Sequence, residues 1–502
     1  MAFRDLREFI RLLDQRGELA RIKAQVNPEL EITEITDRIS KGEARQNKAL
    51  LFENVRGSSM PVLINAFGSP RRMAWALGVD DLDELNRKLA AVIDMRPLRA
   101  QGLGAALNRA GDLLGVIRSI GLGPTLVTRR GASAPCQEIV HTGNDFSLSM
   151  LPILKCWPKD GGRYITLPQV ITRDPATGTR NVGMYRLQVL ETGGDGTLRA
   201  PLLAMHWQRH KGGAEHERVA REKVKPQIPC AIALGGDPAA MWCASAPLPP
   251  NIDEYLLAGW LRGKPVEFVK CVTQPIEAPA NAEIVIEGYV DPNERRDEGP
   301  FGDHTGFYTP VDLFPVMHVT AITHRRDAIY PTTVVGKPPM EDAWMGKATE
   351  RLFLPLVRLF QAEVMDYNMP AEGVFHNLVI VSIKKRFPGH PQKVMYGIWG
   401  LGLLMLAKAI VVVDENVNVH DLREVAWRVL GNVDWKRDVT IVEGPVDQLD
   451  HSAARQSLGG KIGIDATAKG PEDGHPRGWP DEIEMSAEIM ALVDGRWKEY
   501  GL

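Results

Sequence analysis

Cysteine is scarce in this chain: five in 502 residues, at Cys136, Cys156, Cys230, Cys243 and Cys271, odd in number and without a CxxC pair. That scatter excludes a disulfide-stapled scaffold and predicts reduced thiols in a cytosolic protein. Long apolar runs are missing too. Arg, Lys, Asp or Glu interrupts every candidate, so no segment reads as a membrane span. The opening Met1-Ala-Phe-Arg-Asp-Leu-Arg-Glu-Phe is charged where a signal peptide would be apolar. Nor does one sign of charge dominate. Sixty Lys+Arg against 63 Asp+Glu leave a formal net charge of −3, which argues against nucleic acid as the main partner. There is no internal repeat and no low-complexity tract. What remains is 44% hydrophobic and 25% charged, the composition of a globular protein too long for one core.

Periodicity divides the chain into four units. Phe3, Leu6, Phe9, Ile10 and Leu13 recur at helical spacing before Gly17, and Ile32, Ile35 and Ile39 mark a second helix. Strand-like runs at 49–55 and 61–67, helices at 73–77 and 82–93, and connecting helices over 98–126 make residues 1–135 an N-terminal α/β domain. From 136 to 327 the texture is β. Strands are expected at 164–173, 182–190, 202–210, 266–273, 283–290 and 315–323, interrupted by helices at 217–223 and 252–262. Closely spaced strands favour a barrel or sandwich over a doubly wound sheet. Residues 328–480 return to an α/β rhythm, with strands at 378–383, 409–413 and 439–442 and helices at 391–406 and 420–430, the pattern of a parallel sheet. A terminal helix, 481–502, follows Gly/Pro-rich 469–480 and is of the kind that docks on a neighbouring subunit.

The most chemically loaded stretch is Glu298-Gly299-Pro300-Phe301-Gly302-Asp303-His304. Two carboxylates flank a Gly-Pro-x-Gly turn, close enough to couple their protonation. In a dry site one of them would keep its proton near neutral pH and serve as a general acid. The plainer alternative is a solvated acidic loop. Elsewhere, His206 and His210 would share one face of the 202–210 strand. Glu254 falls in the first turn of a helix, Asn181 ends a hairpin loop, and Arg186 lies on the next strand. Lys211-Gly212-Gly213 would let backbone N–H groups approach a phosphate. Singly, each of these has an ordinary structural role.

Together they form a pattern. Arg180-Asn181-Val182-Gly183-Met184-Tyr185-Arg186, Met205-His206-Trp207, Asp253-Glu254-Tyr255 and the 298–304 stretch resemble the UbiD family of decarboxylases. Leu234-Gly235-Gly236-Asp237-Pro238, the run 282–289 and Gly336-Lys337-Pro338-Pro339 extend the resemblance, which runs from Leu30-Glu31-Ile32-Thr33 to the stretch 461–466. It implies prenylated FMN as cofactor, held through its phosphate by a divalent metal, typically Mn2+, with K+ beside it. Asn181, His206 and Glu254 match the family's metal ligands. Asn181, Met184, Tyr185, Arg186, His206, Trp207, Gln208, Lys211 and Gly212 fall where the cofactor is held. Arg186, Glu298 and Asp303 match the catalytic group. The implied fold has an N-terminal α/β domain, a flavin-reductase-like split β-barrel and a C-terminal α/β oligomerisation domain with a terminal helix.

The resemblance implies reversible, non-oxidative decarboxylation of an aromatic acid. Removing CO2 from an sp2 carbon leaves a lone pair in the ring plane, beyond the reach of the π system, so a cofactor must accept those electrons. Asp303 resembles the branch acting on 3-polyprenyl-4-hydroxybenzoates in ubiquinone biosynthesis, whereas His206 is similar to the acrylic-acid branch. A hydroxylated aromatic acid is preferred, with the polyprenylated benzoate as leading case; another unsaturated or heteroaromatic acid, in either direction, is the alternative. A flavin prenyltransferase is implied as cofactor supplier. A homo-oligomer, dimer or hexamer, is expected, cytoplasmic, with peripheral membrane association left open. Readings from other classes are a flavin-free metal hydrolase using His206, His210, Glu254 and Asp303, and a flavin-binding assembly protein without turnover.

Overall fold

The spacing of Leu6, Phe9, Ile10 and Leu13 puts an apolar stripe on the first helix, Leu6–Gln15, whose N-terminus is closed by the Asp5 carboxylate accepting the Glu8 N–H. A computed structural model of the chain describes residues 3–93, 124–127, 134–143, 146–194, 200–208, 212–249 and 252–501. Of the expected 98–126 helices, only 124–126 fall inside the described residues, where they carry a short strand; His210 and Lys211 lie outside.

Strands β1 (Leu19–Ile22), β2 (Ala49–Phe52) and β3 (Val62–Ile64) form the first sheet. The central run supplies β4 (Thr125–Leu126), β5 (Ile139–Thr142), β6 (Tyr164–Ile165), β7 (Gln169–Arg173) and β8 (Arg180–Gly183). It continues through β9 (Leu187–Glu191), β10 (Leu202–Met205), β11 (Ile228–Leu234), β12 (Glu267–Lys270), β13 (Glu277–Pro279) and the long β14 (Ile284–Glu298). A small hairpin, β15 (Phe301–Gly302) with β16 (Tyr308–Thr309), precedes β17 (Asp312–His324). Nine of these strands pair in the order β6-β9-β10-β17-β14-β11-β7-β8, with β5 on β17. Next, β18 (Tyr330–Pro331) returns to pair with β3 in the first sheet.

The last sheet, β19 (Val364–Asn368), β20 (Leu378–Ile383), β21 (Ala409–Asp414), β22 (Val439–Pro445) and β23 (Leu458–Asp465), follows a helix, Glu341–Phe360. The parallel sheet expected here is realised only at its centre. β20, β21 and β23 run parallel, and β19 and β22 close the edges antiparallel. The terminal helix is shorter than expected, Ala487–Arg496, and none of its residues is buried. The molecule is thus of mixed α/β class with several sheets. All five cysteines are free thiols. Among the described residues no helix is long and apolar enough to cross a membrane.

The expected strands of the central region break in ways that matter. The 164–173 run splits at Pro168, which offers no N–H to a ladder, and its halves pair with different neighbours. The 182–190 run splits at Met184, Tyr185 and Arg186, and β8 pairs with β7 while β9 pairs with β6 and β10. The described part of the 202–210 run is a strand only as far as Met205, so His206 lies past the strand's end. The breaks after β8 and after β10 free Arg186 and His206 from a ladder, and both side chains belong to the site described below.

One buried carboxylate ties the first sheet to the Glu341–Phe360 helix. Glu341, 2% exposed, accepts the N–H groups of Asn65 (3.1 Å) and Phe67 (2.7 Å). Glu341→Leu would strand both donors away from water, at a cost of roughly 2–5 kcal/mol. A fall in the urea midpoint is expected, about halved in Glu341→Gln, which keeps one acceptor; equal midpoints for wild type and Glu341→Leu would show the bonds carry no stability.

Candidate active site

Arg186 stands in the gap between β8 and β9 and spans two carboxylates. Its Nε and Nη2 fork onto Glu298 Oε1 and Oε2 at 2.7 and 2.8 Å, and Nη1 donates to Asp303 Oδ2. Nη2 also donates to Thr309 Oγ1 at 3.0 Å, and the guanidinium lies 4.6 Å over the Phe301 ring. The Glu298 side chain is wholly buried and that of Arg186 is 8% exposed. A forked, charge-assisted contact in so dry a place is strong and directional.

The turn between the carboxylates is pinned from outside. Glu298 is the last residue of β14, and the next residue, Gly299, at φ +104°, adopts a backbone conformation that suits glycine. Its N–H donates to Gln188 Oε1 (2.7 Å), the Gly302 N–H to Asp160 Oδ1 (2.8 Å), and the Tyr164 hydroxyl to the Pro300 carbonyl (3.1 Å). Asp303 then projects at the β15–β16 hairpin. Its Oδ1 accepts the His304 N–H at 2.7 Å and meets His304 Nδ1 at 2.8 Å.

The expectation that one of the two carboxyls keeps a proton near neutral pH is not met in this state. Burial pushes the Glu298 carboxyl up, but bonds from His206 and Arg186 and the guanidinium charge outweigh it and bring it to about 2. Burial likewise acts upward on Asp303 and is overcome by the Arg186 charge and by His304, which hold it well below the usual carboxylate range. Arg186 stands between the carboxylates, so they share a cation and not a proton. His304 is pushed down by burial and more strongly up by Asp303, to about 9.

A second group of side chains adjoins the first through His206 and Trp207. His206 Nδ1 meets Glu298 Oε2 at 3.2 Å, and its ring lies 4.3 Å from that of Phe314. Its Nε2 is buried without a hydrogen-bond partner among the described residues, and so is Trp207 Nε1. Glu254, in the first turn of the helix Glu254–Arg262, accepts the Val182 N–H at 2.8 Å and so stands beside Asn181. Asn181 Nδ2 and the Gly213 N–H both reach the Tyr185 hydroxyl, at 3.4 and 3.3 Å. The helix Gly212–Glu222 begins against this group. A Cβ on Gly212 would sit 1.9 Å from Asn181 Oδ1, and one on Gly213 would sit 2.8 Å from Trp207 Nε1. Met184 is half-buried, its N–H donating to the Ala244 carbonyl, and Gln208 is half-buried after Trp207.

This donor set fits a phosphate-bearing planar cofactor and a divalent ion. A helix N-terminus opening on glycines suits an anion. The unpartnered imidazole nitrogen of His206, with an amide and a carboxylate from Asn181 and Glu254, suits a borderline-hard metal that also takes phosphate oxygens. Among the described residues no three or more His, Cys, Asp or Glu side chains form a metal-holding group, so His206, Glu254 and Asp303 do not form one by themselves, and His210, the fourth residue of the hydrolase reading, lies outside the described residues. Sequence reasoning missed His304, His376, Thr309, Phe301, Tyr164, Gln188 and Asp160 as parts of the site. Phe301 and His304 lay inside the quoted motif and were open to discovery. His376, at 3.0 Å from His304, comes from 72 residues further along and carried no signal.

The Glu298 shift implies a pH dependence of stability. Its folded value, about 2, lies below its ordinary 4.5, so its contribution is present above pH 4.5 and is lost as pH falls towards 2. The shift corresponds to on the order of 3 kcal/mol. Urea unfolding of wild type and Glu298→Gln is therefore expected to differ most above pH 4.5 and to converge towards pH 2; a gap independent of pH in that window would contradict the assignment.

Known proteins share this architecture. Models described as the N-terminal, Rift-related and C-terminal domains of 3-octaprenyl-4-hydroxybenzoate carboxy-lyase match residues 10–92, 127–338 and 343–466. An uncharacterized protein of Archaeoglobus fulgidus is 51% identical over 500 residues, covering 99% of each chain. Vanillic acid decarboxylase of Sedimentibacter hydroxybenzoicus, in closed form, is 28% identical with a TM-score of 0.84 over 100% of this chain and 99% of that one. HmfF of Pelotomaculum thermopropionicum in complex with FMN is 31% identical, with a TM-score of 0.78 over 98% and 99%. An evolved dimeric form of HmfF in complex with prFMN is 30% identical, with a TM-score of 0.76 over 97% and 98%. With three successive family models matched over most of its length and a relative at half identity end to end, the chain belongs to the UbiD family and is a UbiD-class carboxy-lyase.

Proposed function

We propose that this chain catalyses the reversible, non-oxidative loss of CO2 from a hydroxylated aromatic acid, with prenylated FMN as cofactor. The observation that carries this reading is the buried Arg186 fork on Glu298 and Asp303, set beside the unpartnered Nε2 of His206 and Nε1 of Trp207. The vanillic acid decarboxylase relative and the FMN and prFMN complexes of HmfF support it. Asp303 keeps 3-polyprenyl-4-hydroxybenzoate as leading substrate. The likeness to the vanillic acid enzyme favours a second reading, a small unprenylated hydroxybenzoate.

Asn181, His206 and Glu254 would hold Mn2+, with K+ nearby. Lys211 and the N–H groups opening the Gly212–Glu222 helix would take the phosphate, and Met184, Tyr185, Trp207 and Gln208 would line the ring system. Bound prenylated FMN supplies the electron sink for the in-plane lone pair left by departing CO2. The rest falls to the chain. Arg186 turns from Asp303 to the substrate carboxylate while Glu298 keeps the guanidinium in place through its two-pronged contact. Released from part of that charge, buried Asp303 rises in pKa and becomes the acid that protonates the ring carbon. The near-complete burial of Arg186, Glu298 and Asp303 keeps water from competing. We read the nine-stranded sheet as the split barrel of the middle unit, residues 136–327, between units 1–135 and 328–480. The exposed apolar side chains of the last segment, Ile483, Met485 and Trp497 among them, support a homo-oligomer in which residues 481–502 meet a second copy.

Asp303→Asn and Glu298→Gln are expected to lower CO2 release by at least about 100-fold with flavin content unchanged, since Asp303 delivers the proton and Glu298 holds Arg186 in place, and neither would hold the cofactor. His206→Ala and Glu254→Ala should instead lose manganese and flavin together, because a metal held by these side chains would in turn help to hold the cofactor. Elemental analysis and flavin absorbance separate the two classes, and unchanged manganese in both alanine variants would refute the ligand assignment.

Made in a host without a flavin prenyltransferase, the protein should fold but release no CO2. Adding the prenyltransferase product with Mn2+ and K+ should restore turnover on a panel of vanillate, 4-hydroxybenzoate and prenylated 4-hydroxybenzoate. Robust turnover with plain FMN, or with no flavin, would sink the cofactor assignment.

A further inference from the structure

The charged cluster does not end at Asp303. We infer that His304, held in place by His376, is the proton store that charges Asp303 in each turnover once a substrate carboxylate has drawn Arg186 away, acting through Asp303 and not on the substrate; this rests on the reading of Asp303 as proton donor. The carboxylate's two oxygens are already committed. Oδ2 takes Arg186 Nη1, and a guanidinium does not give up its proton. Oδ1 takes the backbone N–H and ring Nδ1 of His304. Glu298 spends both oxygens on Arg186 and one of them on His206 as well. Among the described residues, His304 is therefore the one hydrogen-bonded neighbour of Asp303 able to exchange a proton with it.

The far side of the ring is equally constrained. His304 Nε2 lies 3.0 Å from His376 Nε2, and Phe375 stacks on the His304 ring at 5.3 Å and 26°. Phe375 and His376 reach that position through an unusual backbone. Val374 and Phe375 have φ of +46° and +49°, a left-handed conformation that a β-branched or bulky residue adopts only when its surroundings impose it. Two strained residues directly before His376 mark a segment shaped to present that ring.

The electrostatics agree with the geometry. Burial lowers the His304 pKa, but the bond and charge of Asp303, with the charges of Asp342 and Asp447, raise it to about 9. Burial and the His304 charge push His376 down to about 4. The pair thus carries one extra proton at neutral pH, on His304, which donates from Nδ1 to Asp303 and from Nε2 to His376. The groups facing His304 are Asp303, Asp342, Asp447 and His376, and the buried Asp342 is itself pushed up to about 7.

The step balances simply. The His304 Nδ1–H bond breaks as the Asp303 Oδ1–H bond forms, turning imidazolium to imidazole and carboxylate to carboxylic acid. Asp303 passes that proton to the ring carbon as CO2 leaves and returns to carboxylate. His304, whose side chain is 17% exposed, regains a proton from water. The net change is R–COO⁻ plus H⁺ giving R–H plus CO2.

The test uses the full-length cofactor-loaded enzyme and the substrate panel above. Net CO2 release needs proton delivery, whereas exchange of labelled bicarbonate into the substrate carboxylate needs only C–C cleavage and its reversal. His304→Gln is expected to lose about 100-fold in net release while retaining exchange. Asp342→Asn removes a negative charge near His304, so the alkaline limb of the rate profile, near pH 9 in the wild type, should move down. In cofactor-free protein, histidine-labelled NMR should find His304 titrating near pH 9, and lower in Asp342→Asn. Parallel losses of release and exchange in His304→Gln, full activity in that variant, a limb unmoved by Asp342→Asn, or His304 titrating near 6.5 would each overturn the inference. If the loaded wild type shows neither release nor exchange on the whole panel, the decarboxylase reading falls, and this inference with it, even where the NMR titration finds a cationic His304.

Discussion

A guanidinium held between two buried carboxylates governs this structure. Taking ions out of water costs several kcal/mol each, and the cost is offset only when every charge finds a partner in good geometry. Here two carboxylates, Glu298 and Asp303, are matched by Arg186 and by the His304 imidazolium, while burial keeps His206 neutral at pH 7. The cluster is electrically balanced, so it can be dry. In the mechanism proposed above, a substrate carboxylate that claims Arg186 would upset that balance, and the carboxylate left short of charge would bind a proton. On that proposal the ion pairs that hold the site together would also arm it.

The cluster depends in turn on how the central sheet ends. Arg186 stands where a run of strand residues breaks between β8 and β9, His206 one residue past β10, and Glu298 at the last position of β14. A residue inside a ladder is committed to alternating sides of a sheet, whereas one at a strand end can turn inward. Three such ends converge because β9, β10, β17 and β14 are consecutive neighbours in the nine-stranded sheet. The rigid ladder behind them fixes the spacing of the three side chains. The remaining pieces come from elsewhere: Glu254 from a helix that reaches back to Val182, and His376 from the approach to the last sheet.

Local chemistry made much of this legible in the chain itself. The helix over Leu6–Gln15, the strand Leu378–Ile383 and the turn after Glu298 follow from apolar spacing and from glycine and proline placement, which act over a few residues. The motifs around Asn181, Arg186, His206, Glu254 and Glu298 likewise identified the family. Strand ends were not legible, because a ladder stops where its partner stops, and the partner of β9 is β10, not the preceding β8. The same holds for the edges of the last sheet, where β22 turned antiparallel against β23, a strand whose glycines hid its periodicity.

The sequence by itself determined which groups are present: two carboxylates on a tight turn, an arginine, and a glycine-opened helix, each set by short-range sterics and residue chemistry. Only the tertiary structure decided what those groups are to one another. It placed Arg186 between Glu298 and Asp303 so that both stay ionised, where sequence proximity alone suggested that they would share a proton. It also brought His376 across 72 residues to His304. The physical reason is the same in both cases. Protonation depends on burial and on charges within a few ångströms, and those distances exist only once remote parts of the chain have packed together.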